Sequence, residues 1–176
     1  MIAGIDPSLS CTGVVIGNVA GVFDENEEVV MPEAVKKKGK VPKSIVDRFG
    51  MMEDLVAQVS EILSVHNIEA IYLEHYFAAM RHGVQSLYEF GSLLRWELIQ
   101  IAPVIEVTTT QLKKFATGKG NSPKSVCAAH IAKRYGVEFY SDDLYDAYGL
   151  YQLGCVHSGG VEATNQAQRD VMESIG

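Results

Sequence analysis

Short apolar runs alternate with helical repeats along the chain. Apolar, β-branched runs over residues 2–5 and 12–19 predict two strands joined by a short polar turn, and residues 29–31 begin a third. A further apolar run that ends at Glu74 predicts a buried parallel strand, and residues 104–107 predict another. Strands followed by alternating helices and strands indicate an α/β fold with a mixed sheet.

Capping residues and apolar periodicity predict the helices. Ser44, with Asp47 three residues later, predicts a helix start, and residues 84–101 repeat apolar side chains at helical spacing. Three further helix starts are predicted, at Thr108 with Gln111, at Ser122 before Pro123, and at Ser141. Gly136 predicts the end of one of these helices. Periodicity is weak beyond His157, so we expect one domain over residues 1–157 and a flexible tail over residues 158–176.

The length and composition restrict the class of protein. A chain of 176 residues can form one domain with a sizeable core. No apolar run is long enough to span a bilayer, and the first residues lack the basic segment of a signal peptide, so we expect a cytoplasmic protein. Cys11, Cys127 and Cys155 are widely spaced without a CxxC pair, which predicts reduced thiols and neither a disulfide framework nor a zinc site.

Charge is distributed unevenly. The net charge of −7 argues against a nucleic-acid partner. However, no Asp or Glu lies between Val107 and Val137, where a basic cluster comprises Lys113, Lys114, Lys119, Lys124, Lys133 and Arg134. A second cluster comprises Lys36, Lys37, Lys38, Lys40, Lys43 and Arg48. Such clusters can bind phosphates, although solvated surface segments have the same composition.

Four carboxylates stand at informative positions. Asp6 and Glu74 end apolar strands, where α/β folds place ligand sites, and Asp143 and Asp146 share one face of a helix. A carboxylate that closes an apolar strand is costly to bury unless a cation neutralises it. Asp142 and Asp143 have an alternative role as carboxylates at a helix N-terminus, and the spacing favours Asp143 as the one that faces Asp146.

Hard oxygen ligands of this kind suit Mg²⁺ or Mn²⁺. Two such ions about 4 Å apart can activate a water and stabilise the leaving oxygen of a phosphodiester. The sequence offers no competing Ser-His-Asp or Cys-His arrangement, and its histidines lack zinc-binding spacing. His75 follows Glu74 but should point to the opposite face of its strand.

At these positions the sequence resembles the RuvC family of Holliday-junction resolvases, which have an RNase H-like fold. The similarity covers residues 4–13 (GIDPSLSCTG), 72–77 (YLEHYF), 111–124 (QLKKFATGKGNSPK) and 143–147 (DLYDA). Each motif is weak alone, but their order and spacing together are specific. The resemblance implies a mixed five-stranded sheet flanked by helices.

The resemblance also implies roles for particular residues. Asp6, Glu74, Asp143 and Asp146 would bind two magnesium ions, which Mn²⁺ could replace, and Lys113 would join them in catalysis. The implied DNA contacts are Phe77, which would stack at the junction, and Lys113 and Lys124; we add Arg81, Lys114, Lys119, Lys133 and Arg134 from their charge. The implied product is a pair of symmetric nicks made by a homodimer, and we expect its interface on the helix that carries Leu87, Leu94 and Trp96.

Departures from the family pattern leave alternatives open. The segment from Lys36 to Lys43 looks altered, the stretch between Phe77 and Gly91 is longer, and the chain is more acidic than expected. A phage-encoded member with broader activity on branched DNA would have these properties. Three alternatives are an RNase H-like nuclease that acts on RNA or simple flaps, a non-catalytic DNA-binding module, and a fragment of an actin-like ATPase, whose phosphate loop residues 4–13 also resemble.

Overall fold

The computed structural model describes residues 1–20, 33–37, 39–75 and 85–175. Within these residues it contains one five-stranded sheet and six helices. The strands are β1 (Ile2–Asp6), β2 (Cys11–Gly17), β3 (Glu33–Lys36), β4 (Ala70–His75) and β5 (Val104–Thr108). The helices are α1 (Ile45–Ser64), α2 (Gln85–Ile101), α3 (Thr109–Thr117), α4 (Lys124–Tyr135), α5 (Asp142–His157) and α6 (Gln166–Ser174).

The sheet is mixed, as predicted, with strand order β3-β2-β1-β4-β5. β1 pairs antiparallel with β2 and parallel with β4, and β4 pairs parallel with β5. The strand predicted to begin at residues 29–31 lies outside the described residues. The third strand that the structure describes is Glu33–Lys36, so Lys36 of the second basic cluster ends a strand.

Two hydrophobic layers cover the sheet. On one face of the sheet, Met52 and Val59 of α1 and Phe90 of α2 pack against the side chains of β1 and β4 that point to this face. On the other face, α5 lies directly on β1 and β2 and is covered in turn by α3 and α4. Because α5 lies between the sheet and other helices, nearly all of its residues from Leu144 to Val156 are buried.

Most predicted helix boundaries are confirmed. The Ser44 side chain accepts a hydrogen bond from the Asp47 amide, Thr108 and Gln111 form a capping box, and Ser141 caps α5. Gly136 ends α4 in the left-handed conformation, with φ of 67°. The prediction for Ser122 is wrong. Its hydroxyl lies 2.7 Å from the Thr117 hydroxyl instead, and Pro123 takes the N-cap position without a side-chain cap.

The segment after His157 contains a helix that the sequence analysis did not predict. The Asn165 side chain caps α6 by accepting a hydrogen bond from the Gln168 amide, and Val171 is buried against the core. The Lys114 ammonium lies 2.8 Å from a carboxylate oxygen of Asp170, which ties α6 to α3. The expectation of a flexible tail is therefore wrong for residues 166–174, because capping and docking onto α3 compensate for the few apolar residues of α6.

The exposed surface of α2 also differs from the prediction. Leu94 is fully buried between α2 and the sheet, so it belongs to the core and not to an exposed face. Trp96, Ile99 and Tyr88 are the large apolar side chains that α2 exposes, with exposed fractions of 68%, 54% and 47%. None of the described helices has the length and apolar character that a membrane span requires. The three cysteines are free thiols, as predicted.

Candidate metal and nucleic-acid site

Two carboxylates of the site come from neighbouring strands. Asp6 is the last residue of β1, and Glu74 lies near the end of β4. The two strands run parallel with Ile5 opposite Leu73, so the next residue of each strand is Asp6 and Glu74 respectively. Parallel pairing therefore brings both carboxylates to the carboxyl end of the sheet, where loops and helix ends leave space for a ligand.

The third carboxylate reaches the same point because α5 lies unusually close to the sheet. A Cβ atom at Gly4 would overlap the backbone of Ala147 and Tyr151, and a Cβ atom at Gly13 would overlap the backbone of Asp143. Glycine at these two strand positions thus allows α5 to pack directly against the backbone of β1 and β2. This close approach holds the first turns of α5 against the ends of β1 and β2.

As a result, the side chains of Asp6, Glu74 and Asp146 converge. One carboxylate oxygen from each lies within 4.8 Å of the others. Asp6 and Glu74 are only 4% and 7% exposed. The Thr109 hydroxyl, at the start of α3, donates a 2.6 Å hydrogen bond to a Glu74 oxygen and so fixes the orientation of that carboxylate.

Burial and mutual repulsion raise the pKa values in this cluster. The pKa of Asp6 lies well above its ordinary value, mainly because of burial and then because of its hydrogen bond and charge interaction with Glu74. Burial also raises the pKa of Asp146 to about 6, and the Glu74 and Asp143 charges add to this although Lys124 opposes it. Ionisation of Asp6 and Asp146 is therefore disfavoured in the protein alone, because Lys124 does not fully offset burial and the neighbouring carboxylates.

Lys124, the first residue of α4, is the cation nearest to these acids. Its ammonium lies 2.9 Å from an Asp146 oxygen and 3.6 Å from an Asp143 oxygen. Burial by itself would lower the pKa of Lys124, but the hydrogen bond and charge of Asp146 outweigh this and raise it. Asp143 lines the same cleft as the other acids, whereas Asp142 is exposed.

The cleft has a volume of about 300 Å³. The four predicted acids line it together with Lys113, Lys124, Thr109, Cys127 and Leu87. Leu87 therefore faces the site and not the exposed side of α2. His75 turns away, as expected from strand alternation, and its ring nitrogen lies 2.8 Å from a Glu106 oxygen on β5.

The other predicted DNA contacts are dispersed. Lys119 is exposed in the turn after α3, and Lys133 and Arg134 are exposed in the last turn of α4. Lys114 does not face the cleft, because its ammonium is paired with Asp170 of α6. Phe77 and Arg81, and also Lys38 of the second basic cluster, lie outside the described residues.

The residues present suit a hard divalent cation. Three carboxylates, two of them buried, converge in the cleft, and Mg²⁺ and Mn²⁺ prefer carboxylate oxygens. Burial, and after it the neighbouring carboxylates, raise the pKa values of Asp6 and Asp146, and a bound cation would favour their ionised forms. Among the described residues, no group of three or more histidine, cysteine or acidic ligands other than this one has suitable geometry.

Thr109 and the Lys124 pairing were not foreseen from the sequence. Thr109 follows the capping residue Thr108, and a threonine at this position usually faces solvent or its own helix, so the sequence alone does not mark it. Its contact with Glu74 arises because α3 follows β5, the neighbour of β4, without an intervening loop. Only this tertiary arrangement joins the two residues.

Comparisons with known proteins find sequence relatives over most of the chain. No protein-family model matches the chain. The crossover junction endodeoxyribonuclease RuvC of Carboxydothermus hydrogenoformans is 24% identical over 164 residues, which covers 91% of this chain and 98% of that protein. The protein of the same name from Ehrlichia chaffeensis is 26% identical over 139 residues, covering 78% of this chain and 83% of that protein.

Solved structures share the fold. The RuvC structure of Thermus thermophilus superimposes with a TM-score of 0.64 at 20% identity, over 89% of this chain and 92% of that one. The same protein in complex with a Holliday junction substrate gives a TM-score of 0.64 at 19% identity, over 89% and 91% of the two chains. The fold is thus RNase H-like, as in these RuvC structures, and the sequence is similar to RuvC proteins over nearly its full length.

Proposed function

We propose that this chain is a metal-dependent endodeoxyribonuclease that resolves four-way DNA junctions by paired nicking as a homodimer. The observation that carries the proposal is the convergence of Asp6, Glu74 and Asp146 within 4.8 Å at the end of the sheet. The names of the curated relatives supply the substrate class, because each is a crossover junction endodeoxyribonuclease. The reaction would be hydrolysis of a phosphodiester in each of two strands.

The four acids would hold two Mg²⁺ ions, for which Mn²⁺ would substitute. When bound, such ions lower the pKa of a water nucleophile and stabilise the leaving oxygen. Asp6, Glu74 and Asp146 would provide ligands from the converging cluster, and Asp143, which lines the same cleft, would complete the set. Thr109 holds the Glu74 carboxylate in a single orientation, which keeps the ligand geometry fixed before DNA arrives.

The two lysines of the cleft would act on the phosphate group. Lys113 lines the cleft among the acids and would stabilise negative charge on the phosphate oxygens during the reaction. Lys124 is paired with Asp146 and Asp143 in the protein alone, and its ammonium would turn to the DNA when those carboxylates act as ligands. Farther out, Lys119, Lys133 and Arg134 would contact the backbone of duplex arms, and Phe77 and Arg81 would contact the junction centre.

The proposed dimer interface is the exposed apolar stripe of α2. Tyr88, Trp96 and Ile99 recur at helical spacing and together leave a large apolar area in water. A C₂ dimer would present two active sites to the two equivalent strands of a junction. We therefore expect Trp96→Glu with Ile99→Glu to give folded monomers.

Coordination of the two nicks can be read from plasmid cleavage. A supercoiled plasmid with an extruded cruciform becomes linear when both strands are cut within one complex, and becomes a nicked circle when they are cut separately. The monomeric variant should yield nicked circles, whereas Ile45→Glu, a control that adds charge at an exposed apolar residue of α1, should yield linear product. Linear product from a variant shown by light scattering to be monomeric would contradict the dimer proposal.

A substrate panel tests the activity itself. A labelled four-way junction, a 5′ flap, a linear duplex and an RNA–DNA hybrid of matched sequence are incubated with Mg²⁺ or with EDTA. We expect cleavage of the junction in Mg²⁺ only, at symmetric positions in two strands of like polarity. Preferred cleavage of the flap or of the hybrid would replace junction resolution with the corresponding RNase H-like activity, and binding without any cleavage would favour a DNA-binding module.

A further inference from the structure

The end of β3 lies beside the acidic site. Along the β1–β2 pair, Asp6 is opposite Gly13, and β2 extends past Gly13 to Cys11, which is opposite Lys36 of β3. Lys36 therefore lies at the end of the sheet that carries the catalytic carboxylates. The chain then continues through the basic segment to the start of α1.

Contacts across this end of the sheet connect β3 to α5. The Cys11 thiol is close to the Asp143 carboxylate and the Ser141 hydroxyl, and Lys36 is its charged neighbour. The Lys36 ammonium also lies 5.0 Å from the centre of the Tyr140 ring. Tyr140 directly precedes Ser141, the N-cap of α5, and lies three residues before Asp143.

Tyr140 is exposed although it is aromatic. The residue is 70% exposed, whereas the adjacent Phe139 packs against Tyr145 and Tyr148. An exposed aromatic ring beside an ammonium group can stack on a nucleotide while the ammonium contacts a phosphate. The Lys36–Tyr140 pair therefore has the chemistry of a nucleotide contact at the rim of the active site.

The described lysines of this basic segment are not paired with carboxylates. Within the described ranges, Lys36, Lys37, Lys40 and Lys43 form no ion pair with a carboxylate, whereas Lys114, Lys124, Arg48 and Arg95 all do. The Lys37 ammonium instead donates a 2.7 Å hydrogen bond to the Gly39 carbonyl, which braces the turn. Positive charge is thus left available for an external anion.

The adjoining groove favours an extended anion over a small one. Lys36, Lys37 and Lys40 line it with Asp47 and Asp54 of α1, and its volume is about 640 Å³. A small anion inside the groove would approach the two carboxylates. A polyanion that contacts the lysines along the outer edge would keep its charges farther from those carboxylates, and the evenly spaced phosphates of a DNA duplex have this form.

We propose that Lys36, Lys37, Lys40, Lys43 and Tyr140 form a second DNA-contact surface, called here the β3 surface, which holds the duplex arm that leaves the active site on the side of β3. This inference rests on the proposed junction-resolving function and extends it. Lysines of the β3 surface contact arm phosphates, and Tyr140 packs against the nucleotide nearest the site. The arms on the opposite side of the cleft are left to Lys119, Lys133 and Arg134.

Fluorescence anisotropy in EDTA tests the β3 surface without cleavage. Two fluorescent four-way junctions are compared across a salt series, one with arms of two helical turns and one with arms of half a turn. The test variant combines Lys36→Ala, Lys40→Ala and Lys43→Ala, and keeps Lys37 because it braces the turn. Arg169→Ala on α6 is the control, because it removes an exposed positive charge from a different part of the protein.

The triple variant should bind the long-armed junction about tenfold more weakly, with a log–log salt dependence flatter by about 2 to 3, since each lost phosphate contact removes about 0.9. It should bind the short-armed junction like the parent protein, and Arg169→Ala should match the parent on both. Tyr140→Leu should weaken binding about fivefold or more while Tyr140→Phe retains it, because stacking needs the ring and not the hydroxyl.

Three results would overturn the β3 surface. If the triple variant keeps the affinity and salt dependence of the parent protein, the three replaced lysines contact solvent and not DNA. An equal loss on both junctions would show that the lysines act at the junction centre and not on an arm. A parent protein that binds no junction at all would overturn the proposed function together with this inference, which distinguishes that failure from the other two.

Discussion

The acidic cleft and the β3 surface lie at the same end of the sheet, but the charged groups of the cleft are buried and those of the β3 surface are exposed. In the cleft, Asp6 and Glu74 are almost fully buried, and burial raises the pKa of Asp6. On the β3 surface, Lys40 and Lys43 are exposed to water. Buried like charges destabilise the folded protein unless a partner neutralises them, whereas exposed charges cost little and act through a field that salt screens.

This difference separates two kinds of contribution to function. Residues of the cleft should affect the chemical step strongly and should also affect stability. Residues of the exposed basic surfaces should affect only DNA affinity, each by a small and salt-dependent amount. The variants below are ordered from the largest expected effect to the smallest.

Removal of one charge from the cleft should nearly abolish cleavage. Asp6→Asn or Asp146→Asn removes a proposed metal ligand. We expect at least a thousandfold lower rate of junction cleavage with affinity unchanged or tighter, because a negative charge that faces phosphate is lost. Asp142→Asn is the matched control, since Asp142 is exposed at the N-terminus of α5. Single-turnover cleavage measures both. A cleft variant that cuts at the wild-type rate would exclude the site.

The same cleft should make the metal-free protein more stable in mild acid. Burial raises the pKa of Asp146 from 3.8 to about 6, so the folded state binds this proton more tightly than the unfolded state does. Stability should therefore rise as the pH falls from 7 through about 6 and should level off near 4, with a gain of about 3 kcal/mol from this group.

Chemical denaturation in EDTA at several pH values measures this gain. Asp146→Asn should be more stable than the parent protein at pH 7.5 and should lose much of the pH dependence, whereas Asp142→Asn should keep it. Addition of Mg²⁺ at pH 7.5 should stabilise the parent protein, because an ion that binds only the folded state shifts the equilibrium toward it. A parent protein whose stability falls between pH 7 and pH 5 would contradict this account of the cleft.

Loss of the hydroxyl that orients Glu74 should have an intermediate effect. Thr109→Val removes the donor of the 2.6 Å hydrogen bond to Glu74, and loss of such an outer contact lowers metal affinity or activity by about 10- to 100-fold. Thr109→Ser should restore activity because it keeps the hydroxyl, and Thr110→Val should leave activity unchanged because the hydrogen bond to Glu74 comes from Thr109. Equal activity of Thr109→Val and Thr110→Val would show that Glu74 does not depend on this contact.

The exposed end of α4 should show the smallest effect. Lys133→Ala with Arg134→Ala should flatten the salt dependence of junction binding by about 2 and weaken binding similarly for all junction sequences, because backbone contacts carry no sequence information. Lys114→Ala should not change the salt dependence, because Lys114 is already paired with Asp170. An unchanged slope for the double variant would assign Lys133 and Arg134 to a solvated surface.

The sequence predicts the chemistry of the cleft better than its supporting contacts. Asp6 and Glu74 could be found because a carboxylate at the end of an apolar strand is costly and strand ends meet in this fold class. Asp146 followed from its spacing to Asp143 on one helix. The close packing of α5 on Gly4 and Gly13, which completes the cluster, depends on backbone distances that no local pattern encodes.

The errors share a physical cause. Leu94 was assigned with Trp96 to an exposed face of α2, but only Trp96 is exposed, because apolar periodicity cannot show which of two apolar sides of a helix meets the sheet. Ser122 was predicted as a cap, but its hydroxyl is bound to Thr117 across a turn. α6 was missed because its stability comes from docking, although Asn165 three residues before Gln168 was a usable capping signal.

Calorimetric titration of Mn²⁺ tests the central claim, that the cleft carboxylates form a divalent metal site. It should be performed in parallel on the wild-type protein, Asp6→Asn and Asp142→Asn, without DNA and at a pH above 7, where Asp146 is ionised. The wild type and Asp142→Asn should bind the ion with equal affinity, and Asp6→Asn should bind it at least tenfold more weakly. Equal binding by all three proteins would place the metal elsewhere and would contradict the account.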